Sequence, residues 1–244
     1  MVLQFTALMT QLMIIPFAIE GYWRITPPPV KPLTPEALKL VYDTLHKGYS
    51  LKGTHAQGLE TKGHRVTVAI TVENLSYYTV RHPLVREEDG EVKDFEPSTA
   101  IYPGRNFTFA MWNKGGIHTT GTYGSMSLEV YEAERRVVLM WSAPYNFNMF
   151  RNWMGVGLTK KQNTGLENAT AWFDQMYYHG NDTNLKFNRK EFKTDENPVT
   201  ISDTEFLVLG VMGTSHTCRI KVIVVPLDMN KLSHTVRRDL GLAN

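Results

Sequence analysis

The 244-residue sequence contains a single cysteine, Cys218, so no disulfide can form within the chain. It also lacks a surplus of charge, because 26 Lys and Arg residues nearly balance 24 Asp and Glu residues and leave a net charge of +2. No run of basic residues resembles a nucleic-acid-binding patch, which argues against a nucleic acid as partner. Cys218 stands in a strand-like segment, where a free cysteine usually acts as a small buried apolar residue.

Motifs of catalysis and of metal binding are missing as well. The chain has no G-x-S-x-G, H-E-x-x-H or Walker motif, and no G-x-G-x-x-G after a strand. Its 8 histidines are scattered without the spacing of metal ligands, and its acidic residues cluster in predicted turns. The sequence therefore predicts a protein that is not an enzyme and that binds no metal or cofactor.

The only long apolar run covers residues 1–21, which carry no charge before Glu20. We predict a signal peptide here and hence a secreted protein. The run has no basic start and Pro16 would break a spanning helix, so a retained membrane-seeking segment and a buried helix remain alternatives. N-glycosylation sequons agree with secretion. They begin at Asn74, Asn106, Asn168 and Asn181.

A Pro-rich linker at 22–33 leads into a predicted amphipathic helix, which we assign with a polar connector to residues 34–63. Thr34 suits the N-cap position and Pro35 the first helical position. Apolar residues then recur with helical spacing. This stripe consists of Leu38, Val41, Tyr42 and Leu45. Such a helix either packs on its own domain or leaves it to lie in a membrane, and the pattern leaves both interpretations open.

After residue 63 the hydrophobic period changes to two, as in the alternating segment 65–72. Short strand-like runs follow, with turn-like clusters between them, and this spacing is typical of a β-sandwich or barrel. The predicted strands lie at 65–72, 77–85, 98–102, 107–112, 120–131, 137–143, 155–159, 206–212 and 218–225. We also predict a short helix at about 166–179, an irregular segment at 181–197 and a C-terminal tail at 229–244.

The stretch Trp141–Trp153 (WSAPYNFNMFRNW) combines five aromatic residues with Met149 and three asparagines. Pro144 ends the preceding strand, and the asparagines favour turns. Large rings on such a loop either fold back over the core or face a partner. Amphipathic aromatic residues suit a membrane interface, where one end of the side chain is apolar and the other is wet.

This stretch resembles the actinoporins, the sea-anemone cytolysins with relatives in other animals and in plants. The family reads roughly F-S-V-P-Y-D-Y-N-W-Y-S-N-W at residues 141–153, and the resemblance extends over about residues 33–226. A helix ending in Tyr177-Tyr178 and the turn at 210–217 follow in the family's order. The resemblance implies a compact, all-β-dominated sandwich at 64–228, flanked by the N-terminal amphipathic helix and a second short helix.

The resemblance also implies binding to phosphocholine lipids, sphingomyelin above all, and homo-oligomerisation on a target-cell membrane. The N-terminal helix would then insert and line a cation-passing pore. The implied head-group residues are Arg86, Tyr123, Ser142, Pro144, Phe150, Phe173, Tyr177 and Tyr178. Met149, Phe150 and Trp153 would form a membrane-interface loop, and the stripe on the N-terminal helix would serve the pore.

Two of the head-group positions, Phe150 and Phe173, are usually tyrosine in the family, so lipid preference can differ. The helix also looks short for a bilayer, since it rises only about 1.5 Å per residue against about 30 Å of hydrocarbon. A non-lytic module that binds lipid or glycan, similar to a lectin, is therefore the main alternative to a pore-forming cytolysin.

Overall fold

The computed structural model describes residues 29–47, 63–93, 100–115, 120–166, 171–195 and 197–242. The helices are α1 (Pro35–His46), α2 (Trp172–Tyr178) and α3 (His234–Asp239). The strands are β1 (Thr67–Asn74), β2 (Val80–Asp89), β3 (Glu91–Lys93), β4 (Asn106–Trp112), β5 (Thr122–Val130), β6 (Arg135–Ala143), β7 (Asn152–Thr159), β8 (Leu185–Phe192), β9 (Val199–Ser202), β10 (Phe206–Met212) and β11 (Thr217–Pro226).

These strands form two sheets, which confirms the predicted β-sandwich. One sheet has the order β3-β4-β1-β11-β10-β9 and the other has the order β2-β5-β6-β7-β8. Helix α1 lies against β10 and β11 of the first sheet, and α2 lies against β5, β6 and β8 of the second. Each sheet therefore carries one helix.

Strand β6 shows why the central strands are apolar on both sides. Side chains alternate between the faces of a strand, so Leu139 and Trp141 enter the main core while Val138 and Met140 pack under α2. The hairpin predicted at 132–136 forms between β5 and β6, whose register runs from Thr122 opposite Ala143 to Val130 opposite Arg135.

Helix α1 begins as the sequence predicted, with the Thr34 hydroxyl accepting a hydrogen bond from the Ala37 amide at 3.3 Å. Its buried side consists of Ala37, Val41 and Leu45, which follow one another at intervals of four residues. The predicted stripe is wrong for Tyr42, which is exposed. The Tyr42 side chain therefore lies outside the buried side formed by Ala37, Val41 and Leu45.

Two local predictions are wrong. The segment 181–197 was predicted to be irregular, yet it contains β8, an edge strand of the five-stranded sheet. Its polar composition hid the strand, because only Leu185, Phe187 and Phe192 are buried. The strand predicted at 98–102 is reduced, within the described residues, to an isolated bridge between Ile101 and Val80.

Asn74 of the first sequon and the single cysteine, Cys218, are both buried. Asn74 is fully buried, and its amide group donates to the carbonyls of Tyr78 at 2.7 Å and Ile101 at 3.1 Å, so it is a structural residue and not a glycosylation site. Cys218 is a buried core residue as predicted, and burial raises the pKa of its thiol to about 12.

The C-terminal segment holds the chain that enters α1. The Lys31 amide donates to the Asp228 carboxylate at 3.1 Å, and the Met229 amide donates to the Lys31 carbonyl at 2.7 Å. Further along, Ser233 caps α3 through a hydrogen bond from the Val236 amide. Residues 229–242 thus pack against the rest of the domain and include helix α3.

The predicted signal peptide, most of the Pro-rich linker and the sequon at Asn168 lie outside the described residues. Among the residues that are described, no helix has both the length and the apolar character needed to cross a membrane.

Candidate functional site

The site begins with α2, whose large side chains fix it to the outer face of the five-stranded sheet. Trp172, Phe173 and Met176 are buried there against Val138 and Met140 of β6. The Met176 carbonyl, near the end of the helix, accepts a hydrogen bond from Arg189 of β8 at 2.7 Å. Because both its side chains and its last turn are fixed, α2 holds Tyr177 and Tyr178 in a defined place.

These tyrosines form one wall of a surface hollow of about 320 Å³. Strands β5 and β6, the loop after β6 and helix α2 surround it. Its described lining residues are Thr120, Gly121, Tyr123, Ser142, Pro144, Tyr145, Asn146, Phe150, Phe173, Tyr177 and Tyr178. Seven of the eight head-group residues implied by the family resemblance therefore meet in one place, and Arg86 is the exception.

Within the hollow the rings are in mutual contact. The Phe173 and Tyr177 rings stack with centroids 5.3 Å apart and an interplanar angle of 13°, and Tyr178 meets Tyr177 edge-on at 4.8 Å. Tyr123 lies 5.4 Å from Phe173 on the other side. The hollow thus presents a set of aromatic rings packed against one another, with Tyr178 65% exposed at its surface.

The charge of the hollow is low. None of its described lining residues is ionised at neutral pH. One cation contacts a ring of the hollow, since the Arg65 guanidinium lies 4.4 Å from the centroid of the Tyr145 ring. Burial, aided by the carboxylate charge of Asp89, raises the pKa of Tyr123 above its ordinary value. Its phenol therefore stays a neutral hydrogen-bond donor at physiological pH.

The loop after β6 is shaped by Asn146 and held by the turn between β10 and β11. The Asn146 carboxamide oxygen accepts from the Asn148 amide at 2.9 Å, which forms a tight turn. The His216 ring stacks on Phe147 at 4.0 Å and donates to the Tyr145 carbonyl at 2.9 Å. Asn152 anchors the other end through the Gly213 carbonyl at 2.6 Å.

The aromatic residues of this stretch therefore divide into two groups. Trp141 is buried in the core and Phe147 packs on His216, whereas Met149 and Phe150 are 72% and 55% exposed. Trp153, predicted on the loop, lies in β7 and meets the Tyr177 ring edge-on at 6.2 Å. Both interpretations of the stretch hold, since some rings fold back and others face outward.

Arg86 lies on β2 opposite Ser125, and its exposed side chain does not line the hollow. Strand β2 continues to Asp89, so the residues after Arg86 are an extension of the strand and not a turn. A close approach to Gly124 fixes this pairing, because a Cβ there would lie only 2.3 Å from the Arg86 carbonyl oxygen. The structure thus separates Arg86 from the other residues of the predicted set.

Sequence reasoning also missed some of the lining residues. Tyr145 and Asn146 belong to the aromatic stretch, but only their positions in the fold show that they reach the hollow. Thr120 and Gly121 lie on the opposite rim. The packing requires glycine at position 121, because a Cβ there would come within 1.9 Å of the Ala143 carbonyl oxygen.

The chain is therefore a β-sandwich protein with one helix packed on each sheet and an aromatic hollow beside α2. The solved structure of the lipid binding protein Nakanori shares this fold with a TM-score of 0.52, at 12% identity over 78% of each chain. No protein-family model matches the sequence.

Sequence relatives identify the family. Tereporin-Ca1 of Terebra anilis is 42% identical over 185 residues, which are 75% of this chain and 96% of the relative. Conoporin-Cn1 of Conus consors is 34% identical over 79% of this chain and 77% of its own length. The chain belongs to the actinoporin-like toxins of gastropods. These relatives and Echotoxin-2 of Monoplex parthenopeus carry the names of porins and toxins, not of enzymes.

Proposed function

We propose that this chain is a secreted pore-forming cytolysin. It binds the phosphocholine head group of membrane lipids, sphingomyelin above all, in the aromatic hollow. It then oligomerises on the target-cell membrane and inserts its N-terminal helix to form a cation-passing pore. The observation that carries the proposal is the gathering of the hollow's rings beside the exposed Met149 and Phe150.

The chemistry of the hollow supports choline as the bound group. A quaternary ammonium ion carries no N–H, so it gains little from hydrogen-bond acceptors and is attracted to ring faces instead, by about 0.5–2 kcal/mol per ring. The rings of Tyr177 and Tyr178 meet at 4.8 Å and can act together, while the buried Phe173 ring packs behind Tyr177. No carboxylate among the described lining residues would favour an ordinary ammonium ion instead.

Hydroxyl groups in the same hollow support a phosphate next to the choline. Ser142, Tyr177 and Tyr178 line it, and each can donate one hydrogen bond to a phosphate oxygen. Phe150 and Phe173 lack the hydroxyl that a tyrosine would bring, and Arg86 does not line the hollow. We therefore expect the phosphate to be held by hydroxyl groups instead of by a paired arginine.

Membrane contact would occur through the loop beside the hollow. Met149 and Phe150 are exposed next to the rim, and apolar side chains in this position enter the interfacial region of a bilayer. The pore requires more chain than α1 supplies. Its 12 residues span about 18 Å, while the hydrocarbon core is about 30 Å thick, so the inserted helix needs further residues. The three prolines at 27–29 limit how far it can extend on the N-terminal side.

Dye release from lipid vesicles tests the complete proposal. Vesicles that contain sphingomyelin should leak at sub-micromolar protein, and vesicles of the same curvature without choline head groups should stay intact. If sphingomyelin vesicles also stay intact at micromolar protein, the pore-forming part of the proposal is wrong.

The head-group site has its own test in the double variant Phe150→Ala/Tyr177→Ala. We expect vesicle binding to weaken about thirty-fold, which corresponds to roughly 2 kcal/mol for two rings. The control is Tyr102→Ala, since Tyr102 is 64% exposed, comparable with Phe150 at 55%, but does not line the hollow. Unchanged binding of the double variant, or an equal loss in the control, would place the lipid site elsewhere.

The short α1 favours one alternative, a non-lytic module that binds lipid or glycan through the same hollow. Such a protein would keep its vesicle binding after deletion of residues 1–48 and would never release dye at full length. A cytolysin would keep binding after this deletion but would lose a dye release that the full chain has.

A further inference from the structure

A second cavity, of about 430 Å³, lies at the end of the sandwich opposite the aromatic hollow. The direction of β6 shows this, because the strand begins at Arg135 beside the cavity and reaches Ser142 in the hollow seven residues later, roughly 23 Å away. The described lining residues are Arg135, Leu158, Thr159, Lys160, Lys161, Thr183, Asn184, Lys186, Ile201, Ser202 and Asp203.

Four cations surround this cavity, and two of them have no counter-charge. Lys160 and Lys186 are exposed, and neither forms an ion pair with a described residue. Lys161 pairs with Glu205 at 2.7 Å. Among the described residues, only the carboxylates of Asp203 and Glu205 pair with these four cations. The cavity therefore keeps a net positive charge.

Arg135 forms the buried wall of the cavity. Its side chain is 7% exposed and pairs with Asp203, and its Nη2 donates to the Thr159 carbonyl at 3.1 Å. Its Nε is buried without a hydrogen-bond partner among the described residues. Arg135 also lies 3.7 Å from the Glu205 carboxylate, so its charge is already paired, and the unpaired positive charge of the cavity comes from Lys160 and Lys186.

We propose that this cavity binds an anionic saccharide that bears a sulfate or phosphate ester. Lys160 and Lys186 would hold the ester group through charge-assisted hydrogen bonds. The volume falls in the range of about 300–1,000 Å³ that is typical of sites for small organic ligands. Apolar Leu158 and Ile201 and polar Asn184 line the same space, which suits the mixed surface of a sugar ring.

The position of the cavity argues for a saccharide and against a bilayer lipid. When the loop with Met149 and Phe150 touches a membrane, this end of the sandwich points away from that surface. A ligand here must therefore come from the solution or from glycans that rise above the bilayer. The site would concentrate the protein near such glycans without using the aromatic hollow.

The inference is tested by measuring the affinity for a sulfated oligosaccharide with isothermal titration calorimetry. We expect micromolar binding by the full chain and at least ten-fold weaker binding by Lys160→Gln/Lys186→Gln. The control Lys31→Gln/Lys39→Gln removes the same charge at exposed positions outside the cavity and should change the affinity less than two-fold. Equal losses in both double variants would show diffuse charge attraction and overturn the site.

A second variant keeps the test independent of the lysines. Ser202 is exposed at the rim, so Ser202→Glu adds a negative charge without disturbing the core and should weaken oligosaccharide binding at least ten-fold. The phosphorylated and sulfated forms of one oligosaccharide tell the two esters apart, and binding of either supports the site.

Vesicles with anionic lipids but no choline test whether the cavity binds a lipid instead of a saccharide. If Lys160→Gln/Lys186→Gln reduces binding to these vesicles and leaves oligosaccharide binding unchanged, the cavity serves a lipid and the inference is wrong. Binding to sphingomyelin vesicles should be the same for this variant and the parent, so the outcome does not depend on the proposed lytic function.

Discussion

Helices α1 and α2 each lie on one sheet of the sandwich, but different kinds of side chain hold them there. The 7-residue α2 is attached by Trp172, Phe173 and Met176, whereas the 12-residue α1 buries only Ala37, Val41 and Leu45. A large aromatic side chain buries about 150–250 Å², far more than an alanine or valine can. The shorter helix is therefore held more firmly per residue than the longer one.

The helix caps show the opposite difference, because α1 has the stronger local start signal. Thr34 caps the start of α1 with its side chain, while Ala171, the N-cap residue of α2, provides no side-chain cap. Helix α1 thus carries local start signals that α2 lacks, although both helices depend on packing against their sheets. This difference fits the proposed division of work, in which α2 stays to build the lipid site and α1 leaves.

The largest effect should come from Trp172→Ala. Loss of this buried indole should lower the free energy of unfolding by about 3–5 kcal/mol, and Leu45→Ala in α1 should lower it by about 2 kcal/mol. Urea denaturation measures both. Trp172→Ala should also weaken vesicle binding, because the wall of the hollow loses its support. A larger loss of stability for Leu45→Ala would reverse the comparison between the helices.

An intermediate effect is expected from Lys221→Met, which releases the end of α1. The Lys221 ammonium donates to the Thr44 carbonyl and pairs with Glu73 at 2.9 Å, and both side chains of the pair are mostly buried. Loss of about 1 kcal/mol should increase amide hydrogen exchange in the last turn of α1 about five-fold.

The matched control for this variant is Lys39→Met. Lys39 pairs with Asp43 on the same helix at 2.6 Å, but the two side chains are 75% and 61% exposed. Exposed pairs contribute about 1 kcal/mol or less and often nothing measurable, so exchange should hardly change. Equal exchange in both variants would mean that Lys221 does not hold the helix.

The smallest effect is expected at Cys218, whose thiol reports on the core between the sheets. With a pKa raised to about 12 by burial, the thiol stays protonated at pH 8 and reacts slowly with a disulfide reagent. If α1 leaves while the sandwich stays intact, adding vesicles should not speed up this reaction. A rapid reaction on vesicles would show that the sandwich itself opens.

Local signals explain most of the fold that could be predicted from the sequence. The Thr34 cap, the alternation in β1 and the hairpin at 132–136 all act between near neighbours in the chain. The edge strand β8 escaped prediction because an exposed edge tolerates polar residues on most positions. Asn74 escaped because its burial depends on carbonyls of Tyr78 and Ile101 that reach it only in the folded chain.

The sequence by itself determined the sandwich, the N-terminal helix and the family, because strand alternation, helix capping and the motif at 141–153 are contained within short segments. Only the tertiary structure decided which residues share a surface. It joined Tyr123 to Phe173 in the hollow, left Arg86 outside it, and brought Lys160 and Lys186 together at the far end. The physical reason is that strand pairing and burial, which set these neighbours, join residues far apart in the chain.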